Sequence, residues 1–142
     1  MSAFRMPLKV MFQHCDPHGI VFYPRYFEMV NTVVETWFDE ALGYSFARMQ
    51  LSDGRGVPLV AVKAQFPAIS RLGEVLDMAL EVIRLGRSSA DLRVSATCDG
   101  EVRLKVEATM VLVDKAAGRS MPWPHGLREA MERSVVSASQ TR

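Results

Sequence analysis

The sequence has little cysteine, no dominant charge and no long apolar run. Its two cysteines, Cys15 and Cys98, form neither a metal-ligand spacing nor a disulfide framework. Two unpaired thiols suit a reducing cytoplasm, which is the expected location. Lys and Arg number 17 against 16 Asp and Glu, a formal net charge of +1. That balance argues against a protein that grips nucleic acid by bulk charge. No run of ~18 apolar residues suggests a membrane span. The N-terminus lacks the basic stretch and apolar run of a secretory leader. Internal repeats, low-complexity segments and linkers are absent as well. What is present is an apolar fraction of 49% in 142 residues, enough for one core and one domain spanning 1–142.

Hydrophobic periodicity orders the chain. Met1 to Pro7 reads as a lead-in, and Leu8 to Cys15 as a strand with Val10 and Phe12 on one face. From Pro24 to Leu42 the period becomes helical, with Tyr26, Val30, Val33, Val34 and Trp37 on one stripe and Gly43 ending the helix. Tyr44 to Gly56 is read as a polar connection. Four alternating stretches follow, Val57–Phe66, Glu74–Leu85, Ser88–Cys98 and Glu101–Val113. In the last, Arg103, Lys105 and Glu107 fall on the polar side. Asp99-Gly100 marks a two-residue hairpin. Gly126 to about Val135 suits a short helix, and the tail from about 136 to 142 should fray. Strands with one apolar face, set apart from the helix they cover, make an α+β protein with an antiparallel sheet.

The densest chemistry lies in His14-Cys15-Asp16-Pro17-His18-Gly19-Ile20-Val21-Phe22-Tyr23-Pro24-Arg25-Tyr26. Asp-Pro-x-Gly is the pattern of a type I turn, and Gly19 lets that turn close and a ligand approach the backbone. Pro24 suits the first turn of a helix, and no Ser, Thr, Asp or Asn stands just before it as a cap. The helix should therefore begin with open N–H groups, which attract developing negative charge. Asp16 beside them either only hydrogen-bonds its own turn or serves as base or nucleophile. His14 and His18 flank it, His14 on the same strand-side direction, while Cys15 should leave on the opposite face.

This stretch resembles the 4-hydroxybenzoyl-CoA thioesterase family of the hotdog fold. The motif D-P-x-G-[IV]-[VF]-x-Y-P-x-Y carries the likeness, densely from Val10 to about Leu42 and more weakly, in strand order and length, to about Pro124. The resemblance implies a single-domain hotdog fold, a five-stranded antiparallel sheet wrapped around one long central helix. It implies hydrolysis of an acyl-CoA without metal or cofactor. Asp16 takes the position of the catalytic carboxylate, and the Tyr23 N–H that of the donor to the thioester carbonyl. The site would lie between subunits of a homodimer or homotetramer.

Other candidates attach to that reading. His18 is a candidate substrate contact. Phe27 and Asn31 lie along the helix, where Asn31 sits at the edge of the apolar stripe near Phe27 and Phe38. The family position matching Asn31 lies near the ring hydroxyl of a hydroxybenzoyl group but typically carries an acid, and this departure argues against a 4-hydroxyl preference. The closeness of the motif points to a small aromatic acyl group, with a short aliphatic one as the alternative. The thiol carrier stays open between CoA and an acyl carrier protein. Arg84 and Arg87 flank Gly86 at a strand junction and Arg119 follows the last strand. All three are candidates for CoA phosphates, and Arg87 and Arg119 match basic positions of the family. A hotdog hydratase or a non-catalytic acyl-thioester binder are the competing functions.

Overall fold

The computed structural model describes residues 3–136. The expected frayed tail falls at 137–142, outside the described residues. Strand β1 spans Phe4–Lys9 and helix α1 Arg25–Glu40. Strands β2 (Arg55–Gly56) and β3 (Leu59–Gln65) follow, then the long strands β4 (Val75–Leu85), β5 (Ser89–Cys98) and β6 (Glu101–Val111). The short strands β7 (Val113–Asp114) and β8 (Arg119–Ser120) precede helix α2 (His125–Glu132).

Five strands form one antiparallel sheet in the order β1-β4-β5-β6-β3, and β2, β7 and β8 make a small second sheet. The order follows from local chemistry. Asp99 and Gly100 both take positive φ, 51° and 79°, as a two-residue hairpin turn of the required twist demands, and so β5 and β6 pair. Gly86 N–H bonds Ser89 O at 2.8 Å, closing the β4–β5 junction. Leu76, Met78, Leu80, Leu92, Val94, Leu104 and Val106 point to one face and are buried. Helix α1 lies on that face over β4 and β1, burying Met29, Val30, Val33, Val34, Trp37 and Phe38. An antiparallel sheet laid against a long helix is the hotdog arrangement. Gly43 at φ 67° ends the helical run, and Tyr44 N–H reaches back to Phe38 O at 2.9 Å.

Three expectations fail locally. The first strand is Phe4–Lys9, not Leu8–Cys15. Pro7 did not end it, because an edge strand tolerates a missing ladder donor. Beyond it, Met11 N–H bonds the His14 ring Nδ1 at 2.8 Å and curls Phe12–His14 into a 3₁₀ turn. Phe12 is 83% exposed instead of sharing the buried face of Val10. The connection 44–56 is not simply polar. Tyr44 and Met49 are core residues, and Arg48–Ser52 winds into a wide turn closed by Asp53 N–H on Arg48 O. Finally, Val136 is not frayed: it is buried and donates to Val82 O at 3.0 Å.

The two sheet edges differ. β1 presents Arg5, Pro7 and Lys9, residues that discourage further pairing. β3 presents Val60 and Val62, 61% and 44% exposed. Val62 pairs with Ala108 on the helix side of the sheet, but α1 lies over the opposite edge and leaves it uncovered.

The C-terminal segment is tied to the core by the Trp37 Nε1–H, which donates to Ser134 Oγ at 3.1 Å with both groups buried. Ser134→Ala leaves that indole N–H without its partner. It should lower stability by about 1–3 kcal/mol, read as a lower urea midpoint with an unchanged denaturant slope. An unchanged midpoint would mean that water replaces the hydroxyl.

Candidate functional site

Residues 14–22 fold into a tight hairpin around Asp16. Phe22 N–H bonds His14 O at 3.0 Å and Asp16 N–H bonds Ile20 O at 2.9 Å. Gly19 N–H closes the four-residue turn on Asp16 O at 3.0 Å, with Gly19 at φ 76°. The Asp16 carboxylate accepts on Oδ1 from His18 N–H at 2.8 Å and from Ile20 N–H at 3.4 Å. Among the described residues its Oδ2 has no hydrogen-bond partner. The turn therefore orients the carboxylate without occupying it.

The outer arm of this hairpin leans on residues 70–74, a strap leading into β4. Val21 N–H bonds Ser70 O and Leu72 N–H bonds Gly19 O, both at 2.9 Å. Below them the Tyr26 hydroxyl donates to Ser70 Oγ at 2.8 Å, both buried. Burial also raises the Tyr26 pKa, keeping it a neutral donor.

Helix α1 starts at Pro24 without a side-chain cap. The N–H groups of Arg25, Tyr26 and Phe27 are nevertheless not open, since they bond Phe22, Tyr23 and Pro24 carbonyls in tight turns. The donor left over is one residue earlier: among the described residues the Tyr23 N–H has no acceptor. Asp16 thus stands on one arm of the hairpin, and Tyr23, with its free amide, just past the end of the other at the helix start.

An aromatic group surrounds this start. Phe66, just past β3, stacks on Tyr26 at 5.5 Å between centroids and meets Tyr23 and Phe27 edge-on at 5.8 and 6.3 Å. Phe22 touches Tyr23. The sequence places Phe66 at the end of the strand expected over Val57–Phe66 but does not mark it as part of the site. Asn31, one turn beyond Phe27, is exposed, whereas Phe38 is fully buried, so Asn31 is beside Phe27 only. The His18 ring is 86% exposed, its Nδ1 4.0 Å from Asp16 Oδ1. His14 does not share the direction of Asp16; it is buried, its ring turned back onto Met11 N–H. The Cys15 thiol is raised in pKa, first by burial and then by the Asp16 charge, and so is a poor nucleophile.

Arg103 overturns its expected place among the solvated charges. It is 6% exposed and grips Glu74 through two hydrogen bonds, 2.7 and 3.2 Å. These bonds hold the Glu74 carboxyl at a pKa of about 2.

The three arginines proposed for phosphates are elsewhere. β4 begins beside the strap and runs 11 residues to Leu85, roughly 30 Å of extended chain. Arg84 and Arg87 lie at that far end, where Arg87 O accepts Trp123 N–H at 3.0 Å. Arg119 is in β8, paired with β7, the short strand that follows the end of β6. Within one chain they do not meet Asp16.

Residues 10–131 match the model of the thioesterase-like superfamily. The chain belongs to this superfamily. It is a thioester hydrolase by that membership. A thioesterase-superfamily structure from Jannaschia is similar at a TM-score of 0.87 and 23% identity, over 96% of this chain and 95% of that one. A 1,4-dihydroxy-2-naphthoyl-CoA thioesterase from Synechocystis is similar at 0.83 and 16%, over 91% and 95%. A gentisyl-coenzyme A thioesterase is similar at 0.80 and 23%, over 90% and 99%. At these identities the likenesses carry the hotdog fold. No curated protein matches the chain. No helix among the described residues of this thioesterase-like protein is long and apolar enough to cross a membrane.

The buried His14 gives the hairpin a pH dependence. Burial is the main cause that lowers its pKa below 6.5; nearby Arg25 lowers it further, and Glu28 opposes. The unfolded chain therefore takes the proton first as pH falls. His14's contribution is complete above about pH 6.5 and shrinks below it. Between about pH 8 and pH 5 the wild type should lose more stability than His14→Gln, whose amide oxygen still accepts from Met11 N–H. Urea midpoints at several pH values check this; parallel curves for the two proteins would contradict it.

Proposed function

We propose that this protein is an acyl-CoA thioesterase of the 4-hydroxybenzoyl-CoA type, acting on a small aromatic acyl group in the cytoplasm without metal or cofactor. The observation that carries the reading is a turn-held carboxylate, Asp16, on the hairpin that leads into the unpartnered Tyr23 N–H at the uncapped start of α1. The thioester carbonyl oxygen accepts from Tyr23 N–H, a fixed donor that needs no reorganisation as negative charge develops. Asp16 acts on the carbonyl carbon. As nucleophile it forms a mixed anhydride, expels the CoA thiolate, and is restored when water cleaves the anhydride. As base it takes a proton from a water that attacks instead. Gly19 keeps the turn tight enough for the acyl group to approach.

Phe27, Phe66 and the Tyr23 ring offer an aromatic wall for the acyl group, and Asn31 a hydrogen-bond partner for a ring substituent, with His18 at the mouth. The naphthoyl and gentisyl substrates of two similar structures support an aromatic acyl group. A protein from Staphylococcus aureus solved with CoA, 15% identical at a TM-score of 0.84 over 95% of this chain and 87% of that one, supports CoA as the carrier.

The uncovered β3 supports a homodimer, alone or within a homotetramer. Antiparallel pairing of two β3 strands about a two-fold axis puts the far end of one subunit beside the Asp16 end of the other. Arg84, Arg87 and Arg119 would then serve the partner's site, holding the CoA phosphates.

Hydrolysis of a thioester panel, followed as free thiol, tests the activity. Asp16→Asn keeps the turn but removes the charge, and should lower kcat at least ~10²-fold with KM little changed. A folded Asn variant with near-full turnover would leave Asp16 a turn residue only. Arg87→Ala and Arg119→Ala should each raise KM for the CoA ester roughly two- to fivefold, the worth of an exposed ion pair, with kcat unchanged. The effect should vanish for a pantetheine ester, which lacks the nucleotide phosphates. An equal penalty on both esters would remove these residues from CoA binding.

A further inference from the structure

The strap 70–74 has an anchor of its own. On β6 the register with β5 steps from Ala96–Leu104 to Thr97–Val102, so Arg103 is the extra residue of a β-bulge. Bulges re-aim side chains. This one takes Arg103 off the solvated row of Lys105 and Glu107 and turns its guanidinium toward the strap. A charge so buried is stable only when paired, and its partner is Glu74, met through Nη1 and Nη2 in the two-pronged geometry that arginine alone provides. Glu101 Oε1 lies 2.8 Å from Nε but off the N–H direction, leaving Nε without a hydrogen bond. Glu101 therefore adds charge but no direction.

Glu74 passes this hold on. Its Oε1 also accepts from Arg71 N–H at 2.7 Å, while its own N–H bonds Arg71 O at 3.1 Å. Residues 71–74 are thus locked as a turn by the same carboxylate that Arg103 grips. From that locked turn Leu72 N–H reaches Gly19 O, and Ile20 bridges to Arg71. The path from β6 to the catalytic hairpin is continuous: guanidinium, carboxylate, strap, Gly19.

We infer that Arg103 and Glu74 form a positioning pair that holds the Asp16 turn and the Tyr23 amide in register through the strap. Its kinetic consequence rests on the thioesterase reading above, whereas the anchoring itself does not. Neither residue touches the substrate, so their loss should act on turnover and not on binding.

Hydrogen exchange and kinetics on the same variants separate the cases. Glu74→Gln keeps an acceptor for Arg71 N–H but loses the charge, and Arg103→Met removes the fork. Each should speed exchange of the Val21 and Leu72 amides about tenfold, by local opening, with the core amide of Val94 unchanged. Each should lower kcat about tenfold, short of the ~10²-fold that a 1 Å misplacement costs, with KM within about twofold. The double variant should match the single ones, because one device is broken either way. Arg103→Lys, which keeps the charge but not the fork, should fall between. If Arg103→Met does not fold, Glu74→Gln carries the test. Unchanged exchange at Val21 and Leu72 would overturn the inference whatever the kinetics. Faster exchange with full kcat would overturn it too. A wild type that cleaves no thioester would instead defeat the functional reading, and the exchange data alone would then decide whether the pair anchors the turn.

Discussion

Two backbone hydrogen bonds, Val21 N–H to Ser70 O and Leu72 N–H to Gly19 O, join the hairpin of Asp16 to the strap that leads into β4. Much of the molecule depends on that junction. It decides where α1 begins, because Phe22 and Tyr23 leave the paired arm directly into the helix. It places the start of α1 over the β4 side of the sheet, where Tyr26 reaches Ser70. It also explains how a short exposed turn is held in one geometry. The turn has no core of its own, so its order comes from a long strand on one side and a long helix on the other.

The same placement of α1 leaves β3 bare. A helix over β4 and β1 buries the middle of the sheet and stops short of the last strand. Val60 and Val62 are thus apolar and open to solvent, and the edge they occupy carries one charge, Lys63, against the two charges and the proline of β1. The far-end arginines make the corresponding point from the side of the ligand. A CoA ester bound at Asp16 would have its phosphates at the end of a long arm, and in one chain Arg84, Arg87 and Arg119 lie roughly 30 Å of strand away. The proposed second subunit, paired through β3, would answer both features together.

Much of this architecture was legible in the sequence, because the long elements announce themselves by period. The stripe of α1, the alternation of β4 to β6 and the Asp99-Gly100 hairpin all lie where the pattern puts them. Asp-Pro-x-Gly closed as a turn for the same reason. What the pattern could not carry were the places where one residue changes the register. Pro7 reads as a break but sits within an edge strand. His14 reads as a strand residue, yet its ring takes a backbone N–H and ends the extended chain. Arg103 falls on the solvent face of a regular strand, and only the bulge turns it inward. Phe66 joins the site through contacts distant in sequence, which no local spacing encodes.

The claim at the centre is that the Tyr23 N–H donates to the oxygen of the thioester carbonyl on whose carbon Asp16 acts. The most direct measurement is the amide resonance of Tyr23 when an aryl-CoA ketone, with methylene in place of the thioester sulfur, binds the Asp16→Asn protein. A new hydrogen bond to the ketone oxygen should move the Tyr23 amide proton downfield more than any other amide of the hairpin and slow its exchange. If the analogue binds and the Tyr23 amide does not move while others do, the carbonyl lies elsewhere and the account is wrong.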